Sequence, residues 1–137
     1  MKVQCKLNNI LNIEDKNSLE RIKQYIHLSD GQLNLEKNKE YCVFGIEFRD
    51  NSPWFLICLD EEDECPTAYP SELFELTDES LSSYWRITTN TLNDGSVETS
   101  FVFEEWANDP IFYERLVECD PSAIEIFNKY RNKILAE

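Results

Sequence analysis

The run Asp60, Glu61, Glu62, Asp63, Glu64 sets five carboxylates side by side, directly after the apolar stretch WFLICL, residues 54–59. Adjacent negative charges repel, and burying them without partners is prohibitive, so they stand in water or face something positive. Three chemistries use carboxylates at this density: cation binding, paired acid–base work, and recognition of a cationic surface. A calcium loop needs alternating acids and a glycine at its turn, and DEEDEC has neither. With 27 acidic residues in the chain, some pair falls at a glycosidase separation by chance, so pairing by itself carries no signal.

The other reactive side chains are few. His27 is the one histidine, and any Ser-His-Asp or Cys-His arrangement has to use it. Its setting, YIHLSD at the end of a predicted helix, is an ordinary place for a side chain meeting the last carbonyls. The five cysteines, Cys5, Cys42, Cys58, Cys65 and Cys119, form no C-x-x-C pair and no zinc spacing. Several lie in apolar runs, where Cys behaves as a small buried hydrophobe, and a reduced, intracellular protein is the expectation. The three glycines are isolated, which excludes a phosphate loop. No catalytic residue, metal site or cofactor is therefore expected.

What remains is the field. The formal net charge is −14. Residues 41–127 hold Arg49, Arg86 and Arg115 as their only cations against 20 acids. Solubility asks for a magnitude of about 2 to 8 in a small domain. Such a field repels nucleic acid and anionic membrane and attracts cationic partners. The acids also flank aromatics: Trp54 precedes the loop and Tyr69 follows it, then come Glu72, Glu75, Asp78 and Glu79. Carboxylates around an exposed aromatic anchor make a receptor for a Lys/Arg-rich surface. The expected binding set is Asp60 to Glu64 as the steering element, the second cluster of Glu72, Glu75, Asp78 and Glu79, and Trp54 and Tyr69 as anchors.

The elements that must position these groups read as one α+β domain over residues 1–137. KVQCKL suits a short strand. A capping box at Asn17 and Glu20 opens a helix carrying Leu19, Ile22 and Ile26, which ends before Ser29-Asp30-Gly31. YCVFGIEF and WFLICL form a hairpin around RDNSP. Leu73, Phe74 and Leu76 are expected in the core, and Asp78 is placed to cap a helical turn through ESLSSYW. RITT and SVETSFVF form two further strands around Asn93-Asp94-Gly95, with Val97, Thr99, Phe101 and Phe103 on one face. Asp109 and Pro110 start one C-terminal helix, and Asp120 and Pro121 start another with an Ala123, Ile126, Phe127, Tyr130, Ile134 stripe. Lys129, Arg131 and Lys133 suit the C-terminal end of that helix. The sum is an N-terminal helix, an antiparallel core of about four or five strands forming an open sheet or a small barrel, and two C-terminal helices. No stretch reaches the roughly 18 apolar residues of a membrane span, and MKVQCKLNNILNIEDKNS lacks a signal-peptide apolar run, so a cytoplasmic protein is expected.

The segment YCVFGIEFRDNSPWFLICLDEEDECPTAYPSELFELTDESLSSYW, followed by EEWANDPIFYERLVECD, resembles immunity proteins of bacterial polymorphic and contact-dependent growth inhibition toxin systems. The resemblance spans roughly residues 40–120 and rests on a Tyr-x-Val-Phe-Gly-Ile hairpin, a Trp-led second strand, Tyr-Pro-x-Glu-Leu-Phe and Leu-Ser-x-x-Trp. It implies a small, acidic, non-enzymatic cytoplasmic protein that neutralises a cognate basic protein toxin, commonly a nuclease. It transfers no site residue. An acidic DNA mimic that occupies nucleic-acid-binding proteins is the alternative reading of the same charge. Neither reading involves direct contact with nucleic acid or with a membrane.

Overall fold

The computed structural model describes all 137 residues. In chain order the elements are β1 (Lys2–Cys5), α1 (Lys16–Lys23), β2 (Glu40–Cys42), β3 (Gly45–Arg49), β4 (Ser52–Ile57), β5 (Thr67–Pro70), β6 (Phe74–Asp78), β7 (Trp85–Thr91), β8 (Val97–Phe103), α2 (Glu104–Ala107), α3 (Phe112–Val117) and α4 (Pro121–Leu135). Single 3-10 turns stand at Ile10–Asn12 and Ser71–Leu73.

The strands form two antiparallel sheets, β2-β1-β6 and β5-β4-β3-β8-β7. Each order has two free ends, so neither sheet closes into a barrel. Eight strands replace the expected four or five. The expected strand YCVFGIEF is two strands: β2 pairs with β1, and β3 pairs with β4. Between them Val43 donates its N–H to Met1 O, Phe44 donates to Leu56 O, and Trp85 Nε1 donates to Phe44 O. The chain thus crosses between sheets with its backbone groups satisfied. The β3–β4 hairpin turns on Asp50 and Asn51, both at positive φ, the signature of a two-residue type I′ turn.

Every residue of β4 from Trp54 to Ile57 is buried, because both faces of this inner strand are covered. On one side Phe55 meets Phe74 of the smaller sheet, with ring centroids 5.9 Å apart. On the other, Trp54 meets Tyr25, which follows α1, at 5.3 Å. At the opposite end of the sheet Phe103 closes β8. Its ring stacks on Tyr130 of α4 at 4.2 Å and meets Trp106 and Phe112 edge-on at 5.6 and 5.4 Å.

Several local expectations need correction. Asp15, not Asn17, caps α1, accepting from Ser18 N at 3.0 Å, and α1 stops at Lys23 rather than reaching Ile26. The C-terminal helices number three, because Glu104–Ala107 forms an extra turn. Asp109 accepts from Ile111 N within the turn before α3 instead of capping the helix. Residues 79–84 form no helix, only a single turn closed by Trp85 N on Ser82 O; Asp78 accepts from Ser80 N, while the Glu137 carboxylate takes Ser82 Oγ and Ser83 N. Leu76 is exposed rather than core, since β6 lies at the edge of the small sheet. The Asp120 cap with Pro121 is found as expected, and it opens α4.

Replacing Phe103 with Ala removes the ring shared by β8 and all three C-terminal helices. We expect a loss of about 3–5 kcal/mol in urea unfolding, the range for a large buried aromatic; a loss under about 1 kcal/mol would mean the site collapses without this ring.

Candidate functional site

The five acids are not equivalent. The carboxylates of Asp60 and Asp63 turn back on their own loop. Asp60 Oδ1 accepts from Glu62 N at 2.8 Å and Asp63 N at 3.1 Å. Asp63 Oδ2 accepts from Leu59 N at 2.7 Å and Asp60 N at 3.2 Å. These are Asx-type bonds that fix the loop backbone locally. Glu61, Glu62 and Glu64 are exposed, and none of the five carboxylates takes part in an ion pair within the chain.

The positive group that meets this loop is Arg131. It lies towards the C-terminal end of α4, as expected, but it is buried, only 8% exposed. Its guanidinium donates to the carbonyl oxygens of Asp60 at 2.7 Å and Asp63 at 2.5 Å, and lies over the Phe44 ring. A buried guanidinium keeps its charge and needs acceptors, and these two carbonyls are what the loop supplies. The clamp therefore holds the backbone and leaves the Glu61, Glu62 and Glu64 carboxylates free. Lys39 Nζ adds a 3.3 Å bond to Leu59 O.

The second cluster is mostly engaged internally. Glu72 pairs with Arg21 at 2.6 Å and accepts from Ser52 Oγ at 3.2 Å, with both ion-pair partners largely shielded. Glu75 lies 3.5 Å from Lys6. Asp78 is held below the ordinary carboxylate range by its bonds from Ser80. Glu79 is exposed and unpaired. No hydrogen bond or ion pair joins this cluster to the 60–64 loop.

Trp54 and Tyr69 are not surface anchors. Trp54 is 1% exposed, covered by Tyr25 and by the Arg49 guanidinium 4.5 Å from its ring centroid. Tyr69 is buried beside it on β5, opposite Phe55, and burial pushes its hydroxyl pKa up. Trp54 lies in the inner strand β4, whose two faces are covered, and Tyr69 is buried on the neighbouring edge strand β5, so neither has the exposure the sequence suggested. His27 is exposed and makes no hydrogen bond to a nucleophile or a carboxylate. No three His, Cys, Asp or Glu side chains converge in a geometry that holds a metal ion.

A set of carboxylates outside the expected binding set gathers at the far end of the larger sheet. Asp50 accepts from Tyr25 Oη at 2.8 Å, and Asp94 accepts from Ser96 N and Oγ. Burial and then the neighbouring Glu47 carboxylate raise the Glu98 pKa, with Arg49 opposing and Asp50 adding to the effect. These groups come together where the β3–β4 turn lies beside the β7–β8 hairpin. The readable signal was the alternation in SVETSFVF, which puts Glu98 on the face opposite Val97 and Thr99.

No family model matches this chain, and no curated protein and no solved structure matches it either.

Two outcomes follow. Arg131→Met keeps the apolar stem but leaves two carbonyls without their donor; we expect a loss of about 2 kcal/mol in urea unfolding and faster amide exchange across residues 59–63. Unchanged exchange there would show the Asx bonds hold the loop alone. Burial pushes the Cys58 thiol up to about 12, so it stays protonated at pH 8, whereas Cys119 is exposed. Iodoacetamide at that pH should modify Cys119 at least ~100-fold faster than Cys58, with all five reacting in urea; comparable rates in the folded protein would contradict this burial.

Proposed function

We propose that this chain is a non-enzymatic binding protein that neutralises a cognate basic toxin domain in the producing cell, as an immunity protein does, and that a nuclease is the class of toxin its field suits. The observation that carries the reading is the 60–64 loop: three exposed glutamates free of internal cations, on a backbone fixed by Arg131. Carboxylates held out on an ordered backbone lose little conformational freedom when a cationic surface arrives. A nuclease presents such a surface where it binds phosphates, and carboxylates can take the place of those phosphates there. The net charge of −14 extends the attraction beyond the contact and raises the association rate. This function places the protein in the cytoplasm, where the toxin would act.

The test begins with capture of partners by the immobilised chain from its producing cells, washed at about 0.1 M and then about 0.5 M salt, where the screening length falls from roughly 10 Å to under 5 Å. One dominant basic protein retained at the higher salt, toxic when expressed alone and harmless when co-expressed with this chain, is the expected result. A non-toxic partner removes toxin neutralisation. Several unrelated basic proteins that elute together indicate a DNA mimic. Against the purified partner, E61Q/E62Q/E64Q should slow association about ten-fold at low salt and flatten its salt dependence. An unchanged rate would return the loop to plain solvated surface.

A further inference from the structure

The far end of the five-stranded sheet carries an apolar groove whose origin is a gap in strand pairing. β7 and β8 pair along their whole length, from Trp85↔Phe103 to Thr91↔Val97. β3 and β8 pair only at Ile46↔Phe101 and Glu47↔Ser100. Beyond Glu47 the two strands share no ladder, and a groove of about 600 Å³ opens between Phe48 and the Leu92–Thr99 stretch. Phe48 and Phe101 meet edge-on at 6.1 Å on its floor. Val97, 59% exposed, continues the floor, and Ile87, 65% exposed, lies across from Phe101 on β7. Such a run of exposed apolar side chains on one sheet face marks an interaction surface.

The rim is acidic. Asp50 and Asp94 stand at its edge, Glu98 borders it from the opposite face of β8, and no lysine or arginine lines it. Neither Asp50 nor Asp94 has an ion-pair partner. Arg49, the nearest cation in sequence, pairs with Glu47 at 2.9 Å and lies over the Tyr25 and Trp54 rings.

We propose that this groove docks a segment of a partner protein in which a bulky apolar side chain, seated on Phe48, Phe101 and Val97, is flanked by lysine or arginine facing Asp50 and Asp94. Charge complementarity selects that occupant. A second copy of this chain would bring the same two carboxylates against these, and an uncharged apolar ligand would leave both uncompensated. The inference rests on the basic-partner reading above and adds a second contact region. The register places the groove at the opposite end of β4 from the 60–64 loop, since the β3–β4 turn ends β4 at Ser52 and the loop leaves it after Ile57. One basic partner spanning both ends would meet the loop by long-range attraction and the groove by apolar contact.

The experiment follows amide shifts of the full chain during titration with a short capped peptide holding one tryptophan between two Arg-Lys pairs. Its Trp→Gly and all-glutamate counterparts are titrated in parallel. The tryptophan peptide should bind at least ~10-fold tighter than the glycine one, given the apolar area seated. Shifts should centre on residues 48–51 and 92–101. Val97→Lys, an exposed change that leaves the core intact, should weaken binding at least ~10-fold by adding a cation beneath the peptide's own, while E61Q/E62Q/E64Q should leave the shift pattern in place. Equal binding of the tryptophan and glycine peptides, equal binding of the all-glutamate peptide, or shifts confined to 60–64 would each overturn the groove while sparing the basic-partner reading. Self-association at raised concentration, abolished by Val97→Lys, would assign the groove to a second copy and overturn the proposal. If no cationic peptide binds anywhere at low salt, both readings fall.

Discussion

The stacking of Phe103 on Tyr130 governs how the rest of this chain is arranged. β8 ends on Phe103, and α2 begins at the next residue, so the ring sits where the sheet hands the chain to the helices. Trp106 of α2, Phe112 of α3 and Tyr130 of α4 all converge on it. A side chain that touches three elements fixes the rotation of each, because helices turn their faces by 100° per residue and only one setting seats the ring. Tyr130 is thereby locked, and Arg131, its neighbour on the same helix, is swung inward beneath the acidic loop.

Arg131 answers how a chain so rich in carboxylates places five of them in sequence. The guanidinium does not neutralise the acid groups; it binds carbonyls and orders the backbone that carries them. Asp60 and Asp63 complete that order by capping loop amides, so two of the five charges serve the loop's shape and three face solvent. The same division recurs elsewhere. Glu72 ties Arg21 to the β4 edge, and Glu47 holds Arg49 over Trp54. The few cations of the central chain are consumed in structure, which leaves acids such as Glu61, Glu62, Glu64, Glu79 and Asp94 without an ion-pair partner.

The two sheets differ in what they leave open. The small sheet covers one face of β4 through Phe74, and Tyr25 covers the other. Beyond Glu47, β3 and β8 part, and no element fills the space. The groove there follows from strand lengths: β7 and β8 run seven residues each, whereas β3 has five and turns back at Asp50. The long hairpin outreaches the short one, and its apolar face outreaches its cover.

The amino-acid pattern alone determined the α+β class, the β3–β4 and β7–β8 hairpins, the Asp120–Pro121 start of α4 and the concentration of negative charge. Each of these rests on local physics: turn residues that accept positive φ, a proline suited to a first helical turn, alternation matched to a pleat. Tertiary structure decided the rest. Whether Trp54 and Tyr69 lie inside depends on what covers β4, and that is Phe74 and Tyr25, twenty residues or more distant in sequence from Trp54. Whether Arg131 faces water or a carbonyl depends on where Phe103 sets α4. Whether YCVFGIEF is one strand or two depends on β1, which reaches back from the start of the chain. Long-range partners fix burial and ion pairing, and no spacing within a short window encodes them.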